Sequence, residues 1–366
     1  MKAQVLYAPG DLRYEEIAAP EIKENEVLLR VAHCGICGSD VARVYQTGMY
    51  HMPSIPGHEF AGTVESLGAA ADAAWQGKRA AVFPLLPCME CDSCKQGVFE
   101  TCAKYDYLGS RSDGAFAEYV RVPTANLIAI PDDVSFEEAA MCEPMAVAVH
   151  AMRAGGVGAA IAVFGAGTIG MLLVMFLLEA GHDNLFVIGN KEFQKERCIA
   201  FGLPEAHFCD TRQCEDAVAW LTEQTKGKGA DVCFDCVGTQ PVISQCVDAA
   251  APAGMVVLVG NPASDIGLAK ATYWKILRRQ LTLKGIWNSS FAVGAHRPDK
   301  TGTPPAAADD WTYVMERLAT HRIRPAELIT HRLPLEQLED GLAIMRDKTE
   351  PYGKVMLTVQ RQRDCE

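Results

Sequence analysis

Basic residues are scarce relative to acidic ones in this sequence. The 366-residue chain has 34 lysines and arginines against 46 aspartates and glutamates, so its formal net charge at pH 7 is −12. A field of that sign repels the phosphates of nucleic acids and of anionic lipids. The sequence therefore argues against nucleic acid and membrane surfaces as partners and favours a small-molecule substrate.

Long uninterrupted apolar runs are also missing. The first ten residues, MKAQVLYAPG, lack the apolar core of a signal peptide. Residues 154–178 carry no charge, but six glycines interrupt them, which disfavours a membrane-spanning helix. Internal repeats and low-complexity tracts are absent from the sequence as well. We therefore expect a cytoplasmic protein.

Cysteine, in contrast, is plentiful, with 14 residues. In a large chain without a signal peptide, metal binding explains this number better than disulfides. Cys88, Cys91, Cys94 and Cys102 are spaced C-x2-C-x2-C-x7-C. Four thiolates at this spacing can close a tetrahedral zinc site that has no open position. The spacing predicts a structural zinc site on this loop.

The length predicts two domains, and the sequence pattern changes along the chain. Short β-rich segments, among them 2–7 and 26–34, are followed by a predicted helix over 136–153. Strands then alternate with helices. The predicted strands are 161–164, 185–188, 232–236, 256–260 and 281–285, and the predicted helices include 169–180 and 215–224. This alternation predicts an α/β fold with a doubly wound parallel sheet. A loop with Pro298, Pro304 and Pro305 and a closing strand over 354–359 complete the chain.

A glycine motif follows the first of these strands. Gly165, Gly167 and Gly170 are spaced G-x-G-x-x-G, and Thr168 and Ile169 begin the next helix. The first glycine permits a tight turn, the second lets the backbone approach a pyrophosphate, and the third allows close packing. Free N–H groups at the helix N-terminus bind the phosphates. The motif is weak by itself, but its position after the metal-type residues favours dinucleotide binding.

The residues after the second predicted strand bear on the choice of cofactor. NAD enzymes usually place an acid there, which binds the ribose 2′-hydroxyl. This chain has Gly189, Asn190 and Lys191 at that point, with Glu192 close by. A small residue, an amide and a lysine leave room and positive charge for a 2′-phosphate. The cofactor is therefore predicted to be NAD(P), with NADP preferred over NAD.

A second set of metal-type residues is dispersed along the chain: Cys37, His58 and Glu143. One thiolate, one imidazole and one carboxylate leave a fourth zinc position open, as in catalytic zinc sites. Single residues of these types are more often structural, however, so spacing alone leaves both interpretations open.

Together these motifs resemble the zinc-dependent medium-chain dehydrogenases of the alcohol and sorbitol dehydrogenase family, over nearly the whole chain. The resemblance implies a GroES-like β-rich catalytic domain from residues 1–148 and 290–366, and a Rossmann domain from residues 149–289. It implies two zinc ions per chain, with Cys37, His58 and Glu143 holding the catalytic one. Glu59 is then an exchanging or alternative ligand.

The resemblance also implies roles for residues around the zinc and the cofactor. Asp40 orients His58, and Ser39 receives the substrate proton, although Ala42 stands where many family members continue the proton route with histidine. The residues implied to border the nicotinamide are Val259, Gly260 and Trp287. Asn288 and Ser289 either reach substrate hydroxyls or are ordinary loop residues. A homodimer or homotetramer is implied as well.

The substrate is suggested by Glu143, which precedes Pro144 as in the polyol branch of this family. Residues 84–88, 103–111 and 275–278 resemble polyol-phosphate dehydrogenases of that branch. We therefore predict hydride transfer between a secondary alcohol of a polyol or polyol phosphate and NAD(P), with Arg111 or Lys275 as candidate phosphate ligands. The alternatives are a sorbitol- or L-iditol-type dehydrogenase of free polyols and a non-catalytic module that binds zinc and nucleotide.

Overall fold

The computed structural model describes residues 1–294 and 309–359. The chain divides into two compact units, one formed by Met1–Ala146 with Ser289–Glu366 and the other by Val147–Asn288. The predicted domain bounds differ from these divisions by one or two residues. The predicted proline loop around Pro298, Pro304 and Pro305 lies outside the described residues.

The first unit begins with a series of short strands and helices. Its first strands are β1 (Lys2–Ala8), β2 (Asp11–Glu16), β3 (Glu26–Ile36), β4 (Glu59–Leu67), β5 (Arg79–Val82), β6 (Leu85–Leu86), β7 (Asp106–Tyr107), β8 (Tyr119–Pro123) and β9 (Leu127–Ala129). The helices of this part are α1 (Gly38–Ala42), α2 (Asp92–Lys95), α3 (Phe136–Ala140) and α4 (Cys142–Gly155), the last of which crosses the division. Along β3, buried Val27, Leu29 and Val31 alternate with less buried residues, as expected for a strand with one face on the core.

The helical pattern predicted over 136–153 is present, divided into the two helices α3 and α4. Pro144 explains the break. Proline has no N–H, and its ring would collide with the carbonyl of Ala140 in a continuous helix. Backbone N–H groups in the first turn of a helix have no intrahelical partner, so a proline there removes no hydrogen bond. Helix α4 starts at Cys142 and therefore tolerates Pro144 in its first turn.

The second unit is a parallel sheet flanked by helices. Its strands are β10 (Ile161–Phe164), β11 (Leu185–Gly189), β12 (Phe208–Asp210), β13 (Ala230–Asp235), β14 (Ala250–Leu258) and β15 (Thr282–Gly285), and its helices are α5 (Thr168–Glu179), α6 (Glu192–Ala200), α7 (Ala217–Gln224), α8 (Gln240–Ala249) and α9 (Lys270–Arg279). Within residues 147–288, all of which are described, the sheet has six parallel strands in the order β12-β11-β10-β13-β14-β15. The predicted α/β class with a doubly wound parallel sheet is confirmed.

Burial in this sheet follows from helices covering both faces. Every residue of β10 is buried, as in a strand of a parallel sheet with two covered faces. Strand β12 was not predicted, because its three residues, Phe208 to Asp210, are too few to show a period. Among the described residues, no helix combines the length and apolarity needed to cross a membrane. The uncharged residues 154–178 are instead the end of α4, β10 and most of α5.

The chain then returns to the first unit with α10 (Asp310–Ala319), β16 (Ile329–Pro334), α11 (Leu338–Asp347) and β17 (Lys354–Thr358). In the described part of this unit, a seven-stranded sheet has the order β16-β17-β3-β4-β5-β9, with β8 also paired to β3. Antiparallel pairing sets Gly35 of β3 opposite Glu59 of β4 and Met356 of β17. The end of β3 is therefore flanked by the first residues of β4 and β17.

Candidate metal centres and nucleotide site

The four predicted zinc cysteines lie together on one loop of the first unit. Their Sγ atoms are all within 4.8 Å of one another, and the Cys88–Cys94 and Cys91–Cys102 pairs of sulfurs are each 3.9 Å apart. Zinc–sulfur bonds of about 2.3 Å in a tetrahedron place the sulfurs roughly 3.8 Å apart. The four cysteines form no disulfide, so the donor set fits a zinc ion of closed coordination.

Backbone N–H groups of this loop lower the pKa of Cys88 and Cys91. The N–H of Cys88 donates to Cys102 Sγ at 3.3 Å. Hydrogen bonds from the backbone at Cys94 and Ala103 lower the pKa of Cys91 to about 6. The thiolate is the form that binds metal, so these N–H groups favour the ligating state.

A second donor cluster forms where β3 ends and β4 begins. Donor atoms of Cys37, His58 and Glu59 lie within 4.8 Å of one another. Cys37 caps α1 directly after β3, and Glu59 is the first residue of β4. The β3–β4 pairing brings these residues together, and His58 and Glu59 are almost fully buried. One thiolate, one imidazole and one carboxylate fit a zinc ion with an open position.

Asp40 lies beside His58, at the place where the resemblance implies an orienting residue. Its Oδ1 is 3.3 Å from His58 Nδ1, and its Oδ2 accepts a hydrogen bond from the N–H of Cys37 at 2.9 Å. This contact leaves the other ring nitrogen of His58 for a metal. Burial disfavours the charged imidazole, but the Asp40 carboxylate outweighs burial and raises the pKa of His58 well above its ordinary value.

Lys354 is a member of this site that the sequence did not reveal. Its Nζ forms a buried ion pair with Glu59 and donates to the carbonyl of Ile36 at 3.0 Å. Lys354 and Glu59 are both 2% exposed, so neither charge is solvated. A side chain at Gly35 would collide with both partners, which accounts for the glycine there. A lysine at the start of a strand gives no sequence signal for such a role.

Glu143 lies beside the donor cluster but is not one of its three members. Its Oε1 accepts a hydrogen bond from Tyr107 Oη at 3.0 Å, and the side chain is buried. Burial raises the pKa of Glu143. The charge of His58 lowers this pKa, and the charge of Glu59 raises it. The structure therefore offers two carboxylates, Glu59 in the cluster and Glu143 next to it.

Ser39 contacts Arg43, a residue for which no motif predicts a role. Its Oγ accepts a hydrogen bond from Arg43 Nη1 at 2.9 Å, and the same nitrogen lies 3.0 Å from Asp40 Oδ1. A guanidinium has no acceptor and does not deprotonate in proteins. A proton on Ser39 therefore cannot leave through Arg43.

The glycine motif of the second unit has the geometry that its spacing predicts. Gly165 has φ +96, and a Cβ at Gly170 would collide with the carbonyl of Gly165. A Cβ at Gly167 would meet nothing within 4 Å, so this residue borders open space. Helix α5 begins at Thr168 with Ile169 in its first turn. The turn, the close packing and the open approach fit a pyrophosphate.

The end of β11 carries the residues predicted to choose between NAD and NADP. A Cβ at Gly189 would lie 2.6 Å from Phe208 Cζ, so an acid cannot stand there without rearrangement. Asn190 is exposed, and its N–H donates to Gln194 Oε1 at 3.1 Å. The nearby acid, Glu192, is bound by Arg212 at 2.9 Å.

Strands β13, β14 and β15 end at the same edge, because all strands of the sheet are parallel. The N–H groups of Val259 and Gly260 both donate to the carbonyl of Asp235 at 2.9 Å. Trp287, two residues after β15, is half exposed. Ser289 is fully buried in the first unit, where its Oγ accepts a hydrogen bond from Trp311, so a role on substrate hydroxyls has no support.

Comparison with known proteins identifies the family. The family model for the alcohol dehydrogenase GroES-like domain matches residues 23–132, and the model for zinc-binding dehydrogenase matches residues 168–296. The chain is 31% identical to galactitol 1-phosphate 5-dehydrogenase of Escherichia coli K12 over 98% of its own length and 99% of that enzyme. It is 27% identical to sorbitol dehydrogenase of Bacillus subtilis 168, covering 93% of this chain and 92% of that enzyme.

Solved structures agree. The crystal structure of galactitol-1-phosphate dehydrogenase from Escherichia coli superposes with a TM-score of 0.85 at 30% identity, over 98% of this chain and 100% of the other. A zinc-binding dehydrogenase from Sinorhizobium meliloti 1021, solved with NADP, gives 0.86 at 25% identity over 98% and 99%. The implied GroES-like and Rossmann domains are thus confirmed, and the chain belongs to the zinc-dependent medium-chain alcohol dehydrogenases, a family of NAD(P)-dependent enzymes.

Proposed function

We propose that this enzyme oxidises a secondary alcohol of a polyol or polyol phosphate by transferring a hydride to NAD(P). The observation that carries the proposal is the buried cluster of Cys37, His58 and Glu59 with Glu143 beside it, in a chain that resembles galactitol 1-phosphate 5-dehydrogenase along almost its whole length. The likeness to sorbitol dehydrogenase supports the second candidate, oxidation of free polyols.

Two zinc ions per chain are part of this proposal. Cys88, Cys91, Cys94 and Cys102 hold the structural ion, and the catalytic ion is held by Cys37, His58 and one of the two carboxylates. A zinc ion there, when bound, supplies a Lewis acid that lowers the pKa of an alcohol, while a bound nicotinamide accepts the hydride. Because Glu59 is paired with Lys354, Glu143 is the carboxylate that we propose as the zinc ligand, with Glu59 as the exchanging or alternative one.

Ser39 receives the proton of the substrate hydroxyl in this scheme. Since Arg43 already donates to Ser39 Oγ, the serine hydrogen is directed away from the guanidinium. The proton must then leave Ser39 to water or to a substrate hydroxyl, because Ala42 offers no base at the position that is histidine in many relatives.

The proposed nucleotide site lies at the edge where the parallel strands end. The residues proposed to bind the pyrophosphate are Gly165, Gly167, Thr168, Ile169 and Gly170. Gly189, Asn190 and Lys191 are proposed to face the adenosine ribose, and Val259, Gly260 and Trp287 to border the nicotinamide. The missing acid at Gly189 and the pairing of Glu192 with Arg212 support NADP over NAD, and the relative solved with NADP is consistent with it.

A homodimer or homotetramer is also proposed. Strand β15 is an edge of the six-stranded sheet of residues 147–288, and all four of its residues are exposed. The same unit exposes Tyr273, Trp274 and Leu277 on α9 by about half. Unpaired edge strands and large exposed apolar side chains mark surfaces that associate. Light scattering on the purified protein measures the number of subunits.

The central experiment follows reduction of NAD and NADP, separately, with pairs of substrates that consist of a polyol and its phosphate ester. We expect oxidation of at least one member of a pair and a higher kcat/KM with NADP. Activity on free polyols alone would move the enzyme to the sorbitol type. A zinc-loaded protein that reduces neither cofactor on any pair would overturn the proposal in favour of a non-catalytic module.

A further inference from the structure

Arg111 lies in a tight turn that packs against the segment leading into His58. The N–H of Arg111 donates to the carbonyl of Tyr107 at 2.9 Å, which closes the turn. Gly109, with φ +81, forms the close contact, because a Cβ there would collide with the carbonyl of Gly57. Since Gly57 directly precedes His58, the turn is fixed beside a proposed zinc ligand.

Two aromatic rings hold the guanidinium of Arg111. Its Cζ lies 4.1 Å from the ring centroid of Tyr50 and 4.4 Å from that of Tyr105. The two loops are tied together, because the N–H of Tyr50 donates to the carbonyl of Ser110 at 3.3 Å. Stacking between two rings restrains a planar guanidinium while leaving its N–H edge able to donate.

No acid among the described residues neutralises this cation. Across residues 1–294 and 309–359, the Arg111 side chain has neither a hydrogen bond nor an ion pair. The acids nearest in sequence are occupied, since Asp106 accepts from the N–H of Tyr107 and Asp113 accepts from Ser54. Lys275, the other candidate cation, is bound to Asp248 at 2.7 Å. Arg111 is therefore the one of the two that remains available to an anion.

Aromatic contacts connect Arg111 with the proposed zinc cluster. The Tyr105 ring, which stacks on Arg111, lies edge-on to Tyr107 with centroids 6.3 Å apart. Tyr107 in turn lies edge-on to His58 with centroids 5.8 Å apart, and its hydroxyl donates to Glu143. Three successive contacts, from Arg111 through Tyr105 and Tyr107, thus connect the cation with the cluster that would bind the reacting hydroxyl.

We propose that Arg111 binds a terminal oxyanion of the substrate, a phosphate monoester or a carboxylate, at the end remote from the hydroxyl that is oxidised. The guanidinium fork matches both groups through paired N–H bonds. This inference rests on the proposed function for the placement of the hydroxyl. It makes Arg111 the residue that selects phosphorylated or acidic polyols over neutral ones.

The test compares a hexitol phosphate, the free hexitol and the corresponding sugar acid as substrates of the zinc-loaded full-length enzyme. Arg111→Gln is compared with wild type and with Arg121→Gln, which removes the same charge from an exposed position on β8. Arg111→Gln is expected to lower the preference for the phosphate ester over the free hexitol, measured as a ratio of kcat/KM, by about 30-fold or more, chiefly through KM. Arg121→Gln should leave the ratio as in wild type.

The sugar acid distinguishes the two sources of the oxyanion. If the preference lost in Arg111→Gln is for the acid, a carboxylate is the group bound. If neither preference changes, or if Arg121→Gln changes them equally, the inference is wrong.

A binding measurement separates this inference from the proposed function. Thermal melting is followed against inorganic phosphate, with saturating dinucleotide present so that the glycine turn at Gly165 is filled. We expect phosphate to raise Tm saturably in wild type and Arg121→Gln but not in Arg111→Gln. A shift that depends on Arg111 without oxidation of any substrate would overturn the proposed function and leave the anion site standing. Normal oxidation with no such dependence would overturn the anion site.

Discussion

The two candidate metal clusters of the first unit are built in different ways. All four sulfurs of one cluster come from a single loop, from Cys88 to Cys102, and need only local folding to meet. The other cluster takes Cys37 from the end of β3 and His58 and Glu59 from the start of β4, and it is supported by Lys354 from the far end of the chain. The first can form with its loop, whereas the second exists only when the sheet has formed.

Their surroundings differ as well. Cys88 and Cys91 are only partly buried, and the donor atoms of that loop are sulfurs alone. Around His58 the sheet buries several ionisable side chains, among them Asp40, Glu59 and Lys354. Burial of so many charges is costly, and such concentrations are typical of functional sites. We therefore propose that the local cluster contributes stability and that the assembled cluster carries the chemistry.

Removal of His58 should have the largest effect, because it tests whether the assembled cluster carries the chemistry. We expect His58→Ala to lose one of two zinc ions and to lower kcat/KM about 10³-fold or more, because the Lewis acid contributes several kcal/mol to the barrier. The four-cysteine ion should remain. Zinc content by mass spectrometry and steady-state kinetics measure both effects, with His321→Ala on the exposed surface as the control. Retention of both zinc ions with full activity would contradict the assignment.

The buried Glu59–Lys354 pair should show the next largest effect. Glu59→Gln leaves the charge of Lys354 buried and unpaired, so the free energy of unfolding should fall by about 3 kcal/mol. In the double variant with Lys354→Met the loss should be smaller than the sum of the single losses, because no charge then remains uncompensated. Urea denaturation of wild type, the two single variants and the double variant measures the coupling between Glu59 and Lys354. Strictly additive losses would show that the two residues are not coupled.

A sulfur ligand of the local loop should affect stability more than chemistry. Cys94→Ser is expected to lose the other zinc ion and to lower the free energy of unfolding by about 2 kcal/mol. The corresponding fall in Tm is roughly 4–8 °C. The zinc bound by Cys37 and His58 should persist, with kcat changed less than in His58→Ala. Cys214→Ser in the second unit serves as the control. If Cys94→Ser lowered kcat as much as His58→Ala does and left the free energy of unfolding unchanged, the two roles would be reversed.

The smallest effect on the free energy of unfolding is expected for a surface ion pair away from both clusters. Arg332 donates to both carboxylate oxygens of Glu137, at 2.8 and 2.9 Å, and these bonds lower the pKa of Glu137. Glu137→Gln should therefore cost about 0.5 kcal/mol at pH 7.

The sign of the pH dependence follows from the lowered pKa. The contribution of the pair is complete above the ordinary glutamate pKa of about 4.3 and disappears as pH falls through the lowered native value. Denaturation of wild type and Glu137→Gln at several pH values checks this. A difference between them that grows on acidification would contradict it.

Much of the fold could be predicted because its signals are local. The strand predicted at 161–164 has the same bounds in the structure, since a short apolar run ends at the turn that Gly165 requires. The strand over 281–285 differs by one residue. The helical pattern predicted over 136–153 is divided into α3 and α4, because Pro144 is compatible only with the first turn of a helix.

The sequence by itself determined the elements whose physics is contained in a short segment. These are the cysteine loop, whose spacing brings four sulfurs together, and the glycine turn, whose backbone requirements belong to Gly165, Gly167 and Gly170. Only the tertiary structure decided which distant side chains meet. Lys354 beside Glu59 and Arg111 between Tyr50 and Tyr105 depend on strand pairing and loop contacts between residues far apart in the chain, which no local spacing encodes.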